Sequence, residues 1–131
     1  MTHEVRFPLR VLVADDDAMI RLALSEVLEA EADLQVVAIA EDAVQAVSLA
    51  VTHSPDVAVL DVRMPGGGGT HAAREIRIRS PRTQLLAFSA YDDSGTVDEL
   101  KRLGVREYLI KGITNAEIVA AVRRAGAAVQ A

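Results

Sequence analysis

The chain has 131 residues, enough for one domain with a hydrophobic core, because 50% of the residues are hydrophobic and 25% are charged. Aromatic residues make up only 3% and Trp is absent, which argues against a stacking surface for single-stranded nucleic acid. A net charge of −5 argues against direct binding to a phosphate backbone, and the absence of Cys excludes disulfides, thiolate metal sites and thiol catalysis.

Two further classes of protein are disfavoured by the distribution of apolar residues. No apolar run reaches the roughly 18 residues that a membrane-spanning helix needs. The N-terminal residues lack the basic stretch followed by an apolar stretch that is typical of a signal peptide. We therefore expect a cytoplasmic protein without membrane contact.

Five short apolar runs recur along the chain. They do not alternate with polar residues, so they predict strands that are buried on both faces. In chain order these runs are 11–14, 34–40, 57–60, 85–88 and 108–110.

Helical patterns lie between and after these runs. Apolar residues recur at helical spacing over 20–28 and 43–51, and a third helix is predicted over 72–79, ahead of a Ser-Pro pair. A fourth is predicted over 94–103, where Gly104 ends it, and Thr114 with Glu117 forms a capping box for a fifth.

Strands and helices that alternate in this way predict an α/β fold with a parallel sheet. With five strands, we expect a flavodoxin-like (βα)5 three-layer sandwich with strand order 2-1-3-4-5, formed by one domain over residues 1–131. In such sheets ligands bind beyond the carboxyl ends of the strands, at the switch point between strands one and three.

Reactive side chains follow four of the five predicted strands. They are the Asp15-Asp16-Asp17 run after strand one, Asp61 after strand three, Ser89 after strand four and Lys111 after strand five. Glu41 follows strand two, which the expected order places at the edge of the sheet. The sequence therefore predicts carboxylates, a hydroxyl and an ammonium around one rim.

Neighbouring carboxylates repel one another by about 4 kcal/mol at 4 Å and an effective dielectric constant of 20, so the group needs a cation or raised pKa values. Lys111 supplies only one positive charge. Mg²⁺ suits a few carboxylates together with water and phosphate, so we expect it as the cofactor. One carboxylate could then attack phosphorus, with the metal and Lys111 neutralising the transferred group.

Four stretches, in their order and spacing, resemble a response-regulator receiver domain over essentially the whole chain. The matching stretches are Val11-Leu12-Val13-Ala14-Asp15-Asp16-Asp17, Leu60-Asp61-Val62-Arg63-Met64-Pro65 with Gly69, Phe88-Ser89-Ala90 and Tyr108-Leu109-Ile110-Lys111. Each stretch alone is a weak signal, whereas the set is a strong one.

The resemblance implies a role for each matching residue. Asp61 would be the phosphoacceptor, Lys111 would bind the phosphoryl group, and Ser89 with Tyr108 would form the switch. Mg²⁺ would be held by Asp15, Asp16, Asp61 and the backbone carbonyl of Arg63.

The resemblance also implies partners. A sensor histidine kinase would donate the phosphoryl group. The surface of helix four, strand five and helix five would contact a second copy or an attached output domain. The chain would be a phosphorylation-controlled switch, not an enzyme that turns over an external substrate, and it would make no direct contact with nucleic acid.

Two features depart from the family pattern, and a third pair of residues stands at positions where the family varies. Glycines occupy 66–68, where members often carry Met-Asp or a similar pair, and they predict a mobile loop over 66–69. Gly112 follows Lys111, where many members have Pro. Arg63 and Tyr91 stand where the family tunes its rate of dephosphorylation.

Other interpretations of these residues remain open at this point. The three-Asp run could simply cap the first helix. The chain could instead be an aspartate-dependent phosphatase with Asp15 as nucleophile and Asp17 as acid. It could also be a receiver-like binding module that is never phosphorylated.

Overall fold

A computed structural model describes residues 7–90 and 94–130, with five strands and five helices in alternation. Each predicted strand is confirmed, and four of them extend by one to three residues beyond the prediction. The strands are β1 (Leu9–Ala14), β2 (Leu34–Ala40), β3 (Val57–Asp61), β4 (Gln84–Ser89) and β5 (Val105–Ile110).

The strands form one parallel sheet in the order β2-β1-β3-β4-β5, as predicted. β3, the middle strand, is buried along its whole length, which explains its unbroken apolar sequence. The register pairs Asp61 of β3 with Phe88 of β4, and Ser89 of β4 with Ile110 of β5. The ends of these strands, and the residues that follow them, therefore lie side by side.

The helices are α1 (Ala18–Glu29), α2 (Ala43–His53), α3 (Gly68–Arg79), α4 (Ser94–Arg102) and α5 (Asn115–Gln130). Asp17 caps α1, because its carboxylate accepts hydrogen bonds from the backbone N–H groups of Met19 and Ile20. In the predicted capping box of α5, the Thr114 hydroxyl accepts a hydrogen bond of 3.2 Å from the backbone N–H of Glu117.

The start of α3 corrects the sequence prediction. The helix begins at Gly68, four residues before the predicted start, so two of the four glycines expected in a mobile loop form its first turn. Gly66 and Gly67, just before the helix, have φ angles of 85° and 107°. Side chains rarely adopt this left-handed backbone, and glycine adopts it without strain.

The helices cover both faces of the sheet. Leu12, Leu60 and Ile76 belong to the core layer beneath α2 and α3, whereas Val13 and Val122 belong to the layer beneath α1 and α5. Both layers are built mainly from Ala, Val and Leu, in agreement with the low aromatic content. Across the described parts of the chain, no helix has the length and apolar character that a membrane span requires.

Candidate functional site

The carboxyl ends of β1 and β3 bring together acidic residues that are far apart in the sequence. Asp15 and Asp61 are buried, with exposed fractions of 1% and 3%, whereas Asp16 is exposed. One carboxylate oxygen from each of the three lies within 4.8 Å of the others. We call these three residues, together with Lys111, the carboxylate site.

The loop between β1 and α1 gives the three consecutive aspartates different environments. The backbone N–H of Asp15 donates to the carbonyl of Ala40 at 3.1 Å, and Oδ1 of Asp15 accepts from the backbone N–H of Asp17 at 2.9 Å. The capping interpretation of the run is thus correct for Asp17. Because the Asp17 carboxylate is bonded to backbone N–H groups of α1, its geometry does not favour the role of a phosphatase acid.

Lys111 brings a positive charge to the buried carboxylates. Its Nζ lies 2.8 Å from Oδ2 of Asp15, 3.4 Å from Oδ1 of Asp61 and 5.7 Å from the centre of the Phe88 ring. Partial burial by itself would lower the pKa of Lys111, but the contacts with Asp15 and Asp61 outweigh burial and raise the pKa. Lys111 is therefore charged throughout the physiological pH range.

Asp61 shows the opposite balance of effects. Burial and the nearby charge of Asp15 raise the pKa of Asp61 to about 6, although Lys111 and the backbone N–H of Arg63 partly offset them. That N–H lies 3.3 Å from Oδ1 of Asp61. Burial and the charge of Asp15 therefore destabilise the ionised form of Asp61 more than Lys111 and the backbone N–H stabilise it. A pKa shifted in this way is typical of a functional site.

The other predicted site residues lie near Asp61 or Lys111, either in the sequence or on the neighbouring strand. Ser89 is buried at the end of β4, and its carbonyl accepts a 2.7 Å hydrogen bond from the backbone N–H of Lys111. Tyr108 is half-buried on β5 and packs against the core layer beneath α2 and α3. Arg63 is exposed, two residues after Asp61. Tyr91 lies outside the described residues.

Sequence reasoning did not single out Arg21, whose Nη1 donates to the carbonyl of Asp15 at 2.9 Å. Its position four residues after the capping Asp17 is the signal that could have identified it. Helical side chains lean toward the N-terminus, so a long side chain there reaches back to the preceding loop.

Gly69, part of one of the stretches that match the family, packs tightly at the site. A Cβ atom at this position would lie 2.8 Å from the carbonyl oxygen of Asp61 and 2.9 Å from Cα of Val62. The N-terminus of α3 thus packs directly on the backbone that carries Asp61, and no side chain fits between them.

Residues 11–123 match the family described as response regulator receiver domain. The chain belongs to this family. Receiver domains act as switches in two-component response regulators, and they generally bind Mg²⁺ at an acidic pocket. In this chain Asp15, Asp16 and Asp61 form an acidic cluster.

Curated relatives and solved structures agree with the family assignment. The chain is 33% identical over 116 residues to the oxygen regulatory protein NreC of Staphylococcus epidermidis, a match that covers 88% of this chain and 53% of that protein. It is 38% identical over 120 residues to the transcriptional regulatory protein PdtaR of Mycobacterium tuberculosis, covering 90% of this chain and 57% of that protein. The chain spans about half the length of these relatives.

The receiver domain of the putative response regulator NarL from Mycobacterium tuberculosis has the same architecture, with a TM-score of 0.89 and 35% identity. The match covers 92% of this chain and 98% of that domain. The predicted fold class and the predicted family are therefore both confirmed.

Proposed function

We propose that this chain is the phosphoacceptor domain of a response regulator and that Asp61 receives a phosphoryl group from a phosphohistidine of a sensor histidine kinase. The observation that carries this proposal is the convergence of Asp61 with Asp15, Asp16 and Lys111. A solvated surface cluster would not bury two of its three carboxylates against a single ammonium. Family membership supports the same assignment.

The proposed step exchanges one bond to phosphorus for another. A carboxylate oxygen of Asp61 attacks the phosphorus, an O–P bond forms, and the P–N bond to the donor imidazole breaks. The imidazole nitrogen keeps the bonding electron pair, so the donor leaves as neutral histidine once that nitrogen is protonated. Lys111, 3.4 Å from Oδ1 of Asp61, is placed to neutralise the oxygens of the transferred group.

The carboxylate site fits Mg²⁺. Oδ2 of Asp15 is buried beside Nζ of Lys111 at 2.8 Å, and this single ammonium does not neutralise three carboxylates, so the site has an excess of negatively charged oxygen ligands of the kind a divalent cation prefers. Asp15, Asp16, Asp61 and the carbonyl of Arg63 would hold the ion, which when bound supplies charge neutralisation for the phosphoryl oxygens. With three carboxylates and one ammonium, the site retains a formal charge of about −2 when all four groups are ionised.

The same proposal assigns the switch to Ser89 and Tyr108. The Ser89 hydroxyl would donate to the phosphoryl group on Asp61, and Tyr108 would move inward as Ser89 shifts, altering the surface of α4, β5 and α5. On that surface Arg124 of α5 holds Glu107 of β5 through two hydrogen bonds of 2.8 and 2.9 Å. A second copy or an attached output domain would bind there.

The proposed domain comprises residues 1–131, acts in the cytoplasm and catalyses only its own phosphorylation and dephosphorylation. Arg63 and Tyr91 are the proposed determinants of the dephosphorylation rate. This part of the proposal is supported by the positions of these residues relative to Asp61 and Ser89 in the sequence.

Incubation with acetyl phosphate and Mg²⁺ tests the central step. We expect a base-labile increase in intact mass equal to one phosphoryl group, located on Asp61 by peptide mapping. Asp61→Asn should abolish the adduct, whereas Asp56→Asn, at the opposite end of β3, should preserve it. An unmodified wild-type protein, or an adduct that survives in Asp61→Asn, would overturn the proposal.

A further inference from the structure

Arg21 of α1 contacts the loop that carries the acidic residues, although it lies outside the carboxylate site itself. Its Nη1 donates to the carbonyl oxygen of Asp15 at 2.9 Å, and its side chain is 20% exposed. We propose that Arg21 is a positioning residue that holds Asp15 in the geometry needed to bind a divalent cation. This inference rests on the proposed function, because it concerns the cation site of that function.

Three contacts fix the backbone and one carboxylate oxygen of Asp15. Its N–H is bonded to Ala40 of β2, its Oδ1 accepts from the backbone N–H of Asp17, and its carbonyl accepts from Arg21. Together they direct Oδ2 toward Lys111. The first two contacts come from backbone groups, whereas the third comes from a side chain that substitution can remove without changing any carboxylate.

Arg21 is itself held from two directions. Its backbone N–H donates to the carbonyl of Asp17 at 3.0 Å, as part of the first turn of α1. Its Nη2 lies 3.7 Å from Oε2 of Glu41, the residue that follows β2. The backbone N–H of Glu41 donates in turn to the Gln45 side chain of α2 at 3.0 Å. The guanidinium therefore connects the acidic loop to the end of the edge strand.

Charge and geometry make opposite predictions for the loss of Arg21. A guanidinium near three carboxylates repels a divalent cation, so removal of its charge alone would tighten Mg²⁺ binding. Removal of the hydrogen bond releases the carbonyl of Asp15, so its carboxylate must be ordered when the ion binds, which weakens binding. The direction of the change in Kd therefore shows which effect dominates.

Titration calorimetry with MgCl₂ alone, on the full chain, measures this direction. We expect Arg21→Met to raise the Kd for Mg²⁺ by about tenfold, the lower end of the range for residues that orient metal ligands. Arg21→Gln, which keeps an N–H donor without the charge, should lie between wild type and Arg21→Met. Phosphorylation by acetyl phosphate should slow at low Mg²⁺ and recover toward the wild-type rate at saturating Mg²⁺.

Arg10→Met is the matched control. Arg10 is also a half-buried arginine, and its Nη1 donates to the carbonyl of His53 at 2.6 Å, at the other end of the sheet. This variant should lower the thermal stability and leave the Kd for Mg²⁺ unchanged. Glu41→Gln should raise the Kd for Mg²⁺ less than Arg21→Met does. The ion pair between Arg21 and Glu41 is long, at 3.7 Å, and the Glu41 side chain is exposed to solvent, so the pair contributes little.

An unchanged or lower Kd in folded Arg21→Met would overturn the positioning role, even if its melting temperature fell. An equal rise in Kd for Arg10→Met would also overturn it, since the effect would then reflect general loss of stability. Failure of the wild-type chain to bind Mg²⁺ would instead refute the proposed function, so the two failures are distinguishable.

Discussion

The ammonium of Lys111 and the carboxylate of Asp61 lie 3.4 Å apart, although their strands, β5 and β3, are separated in the sheet by β4. Lys111 spans this gap by reaching across the Phe88 ring on β4, 5.7 Å from the ring centre. A cation is thus supplied to a buried acidic pair from a strand that does not adjoin either acidic residue's strand.

Replacement of Lys111 by Met should separate metal binding from phosphoryl transfer. Loss of the ammonium makes the site more negative, so we expect Mg²⁺ to bind several-fold more tightly in calorimetric titrations. The rate of phosphorylation by acetyl phosphate should fall, because the transferred oxygens lose a neutralising group. Lys101→Met, which removes the same charge from the exposed surface of α4, should change neither the Kd for Mg²⁺ nor the rate of phosphorylation. Weaker Mg²⁺ binding in Lys111→Met would contradict the placement of the ammonium beside the carboxylates that bind the ion.

Asp61→Asn should stabilise the metal-free protein at neutral pH. The pKa of Asp61 is raised to about 6 by burial and by Asp15, so the folded state binds a proton more tightly than the unfolded state does. The wild-type protein therefore loses stability as the pH rises from about 4 through 6, whereas Asp61→Asn avoids this loss. We expect a gain on the order of 1 kcal/mol at pH 7, or a few degrees in Tm.

Thermal unfolding monitored by circular dichroism in a chelating buffer measures this gain as a function of pH. The difference between Asp61→Asn and wild type should be small near pH 4 and should grow up to pH 7. Asp33→Asn provides a control of opposite sign. In the wild-type protein, a hydrogen bond with Arg123 lowers the pKa of Asp33. The ionised Asp33 therefore stabilises the fold above about pH 4, and this contribution is lost as the pH falls through the folded-state pKa. A pH-independent difference for Asp61→Asn would show that its carboxylate is not destabilised by the fold.

Close packing at Gly69 yields a prediction about the backbone that carries Asp61, the proposed phosphoacceptor. In Gly69→Ala the new Cβ meets the backbone of Asp61 and Val62, which cannot rotate away, so we expect a loss of about 1–3 kcal/mol and slower phosphorylation. Gly126→Ala is the matched control, since that helical glycine packs against the flexible Leu9 side chain, remote from the site. It should lower the Tm without slowing phosphorylation in the folded protein. Equal slowing in both variants would argue that Gly69 acts only through global stability.

The fold and the acidic centre could be predicted because local sequence carries both. Strands buried on both faces produce unbroken apolar runs, and parallel strands place the residues after them at one edge. The convergence of Asp15 with Asp61 follows from those two facts. The start of α3 at Gly68 could not be predicted, because glycine costs about 1 kcal/mol in a helix relative to Ala. The close approach of Gly68 to the carbonyl oxygen of Val62, and of Gly69 to the carbonyl oxygen of Asp61, explains why glycines stand there.

Long-range contacts of single side chains account for the rest. The sequence places Arg21 on α1, but its bond to the carbonyl of Asp15 depends on where the loop turns. Likewise, the three aspartates are equivalent as a sequence run, and only the folded chain assigns Asp17 to the helix cap and Asp15 to the buried site. The roles of Ser89 and Tyr108 remain predictions that the chemical tests must decide.

Binding of Mg²⁺ should stabilise the fold through the exposed Asp16 as well as the two buried carboxylates. A ligand that binds the folded state alone adds about 2.7 kcal/mol at 100 times its Kd, so the wild-type Tm should rise clearly with MgCl₂. Asp16→Asn should reduce this rise, because it removes one of the three clustered carboxylates. Asp17→Ser should retain it, since Ser also caps helices and the Asp17 carboxylate already accepts the hydrogen bonds that cap α1. A Mg²⁺-induced shift that is lost in Asp17→Ser but kept in Asp16→Asn would reverse the roles assigned here to these adjacent residues.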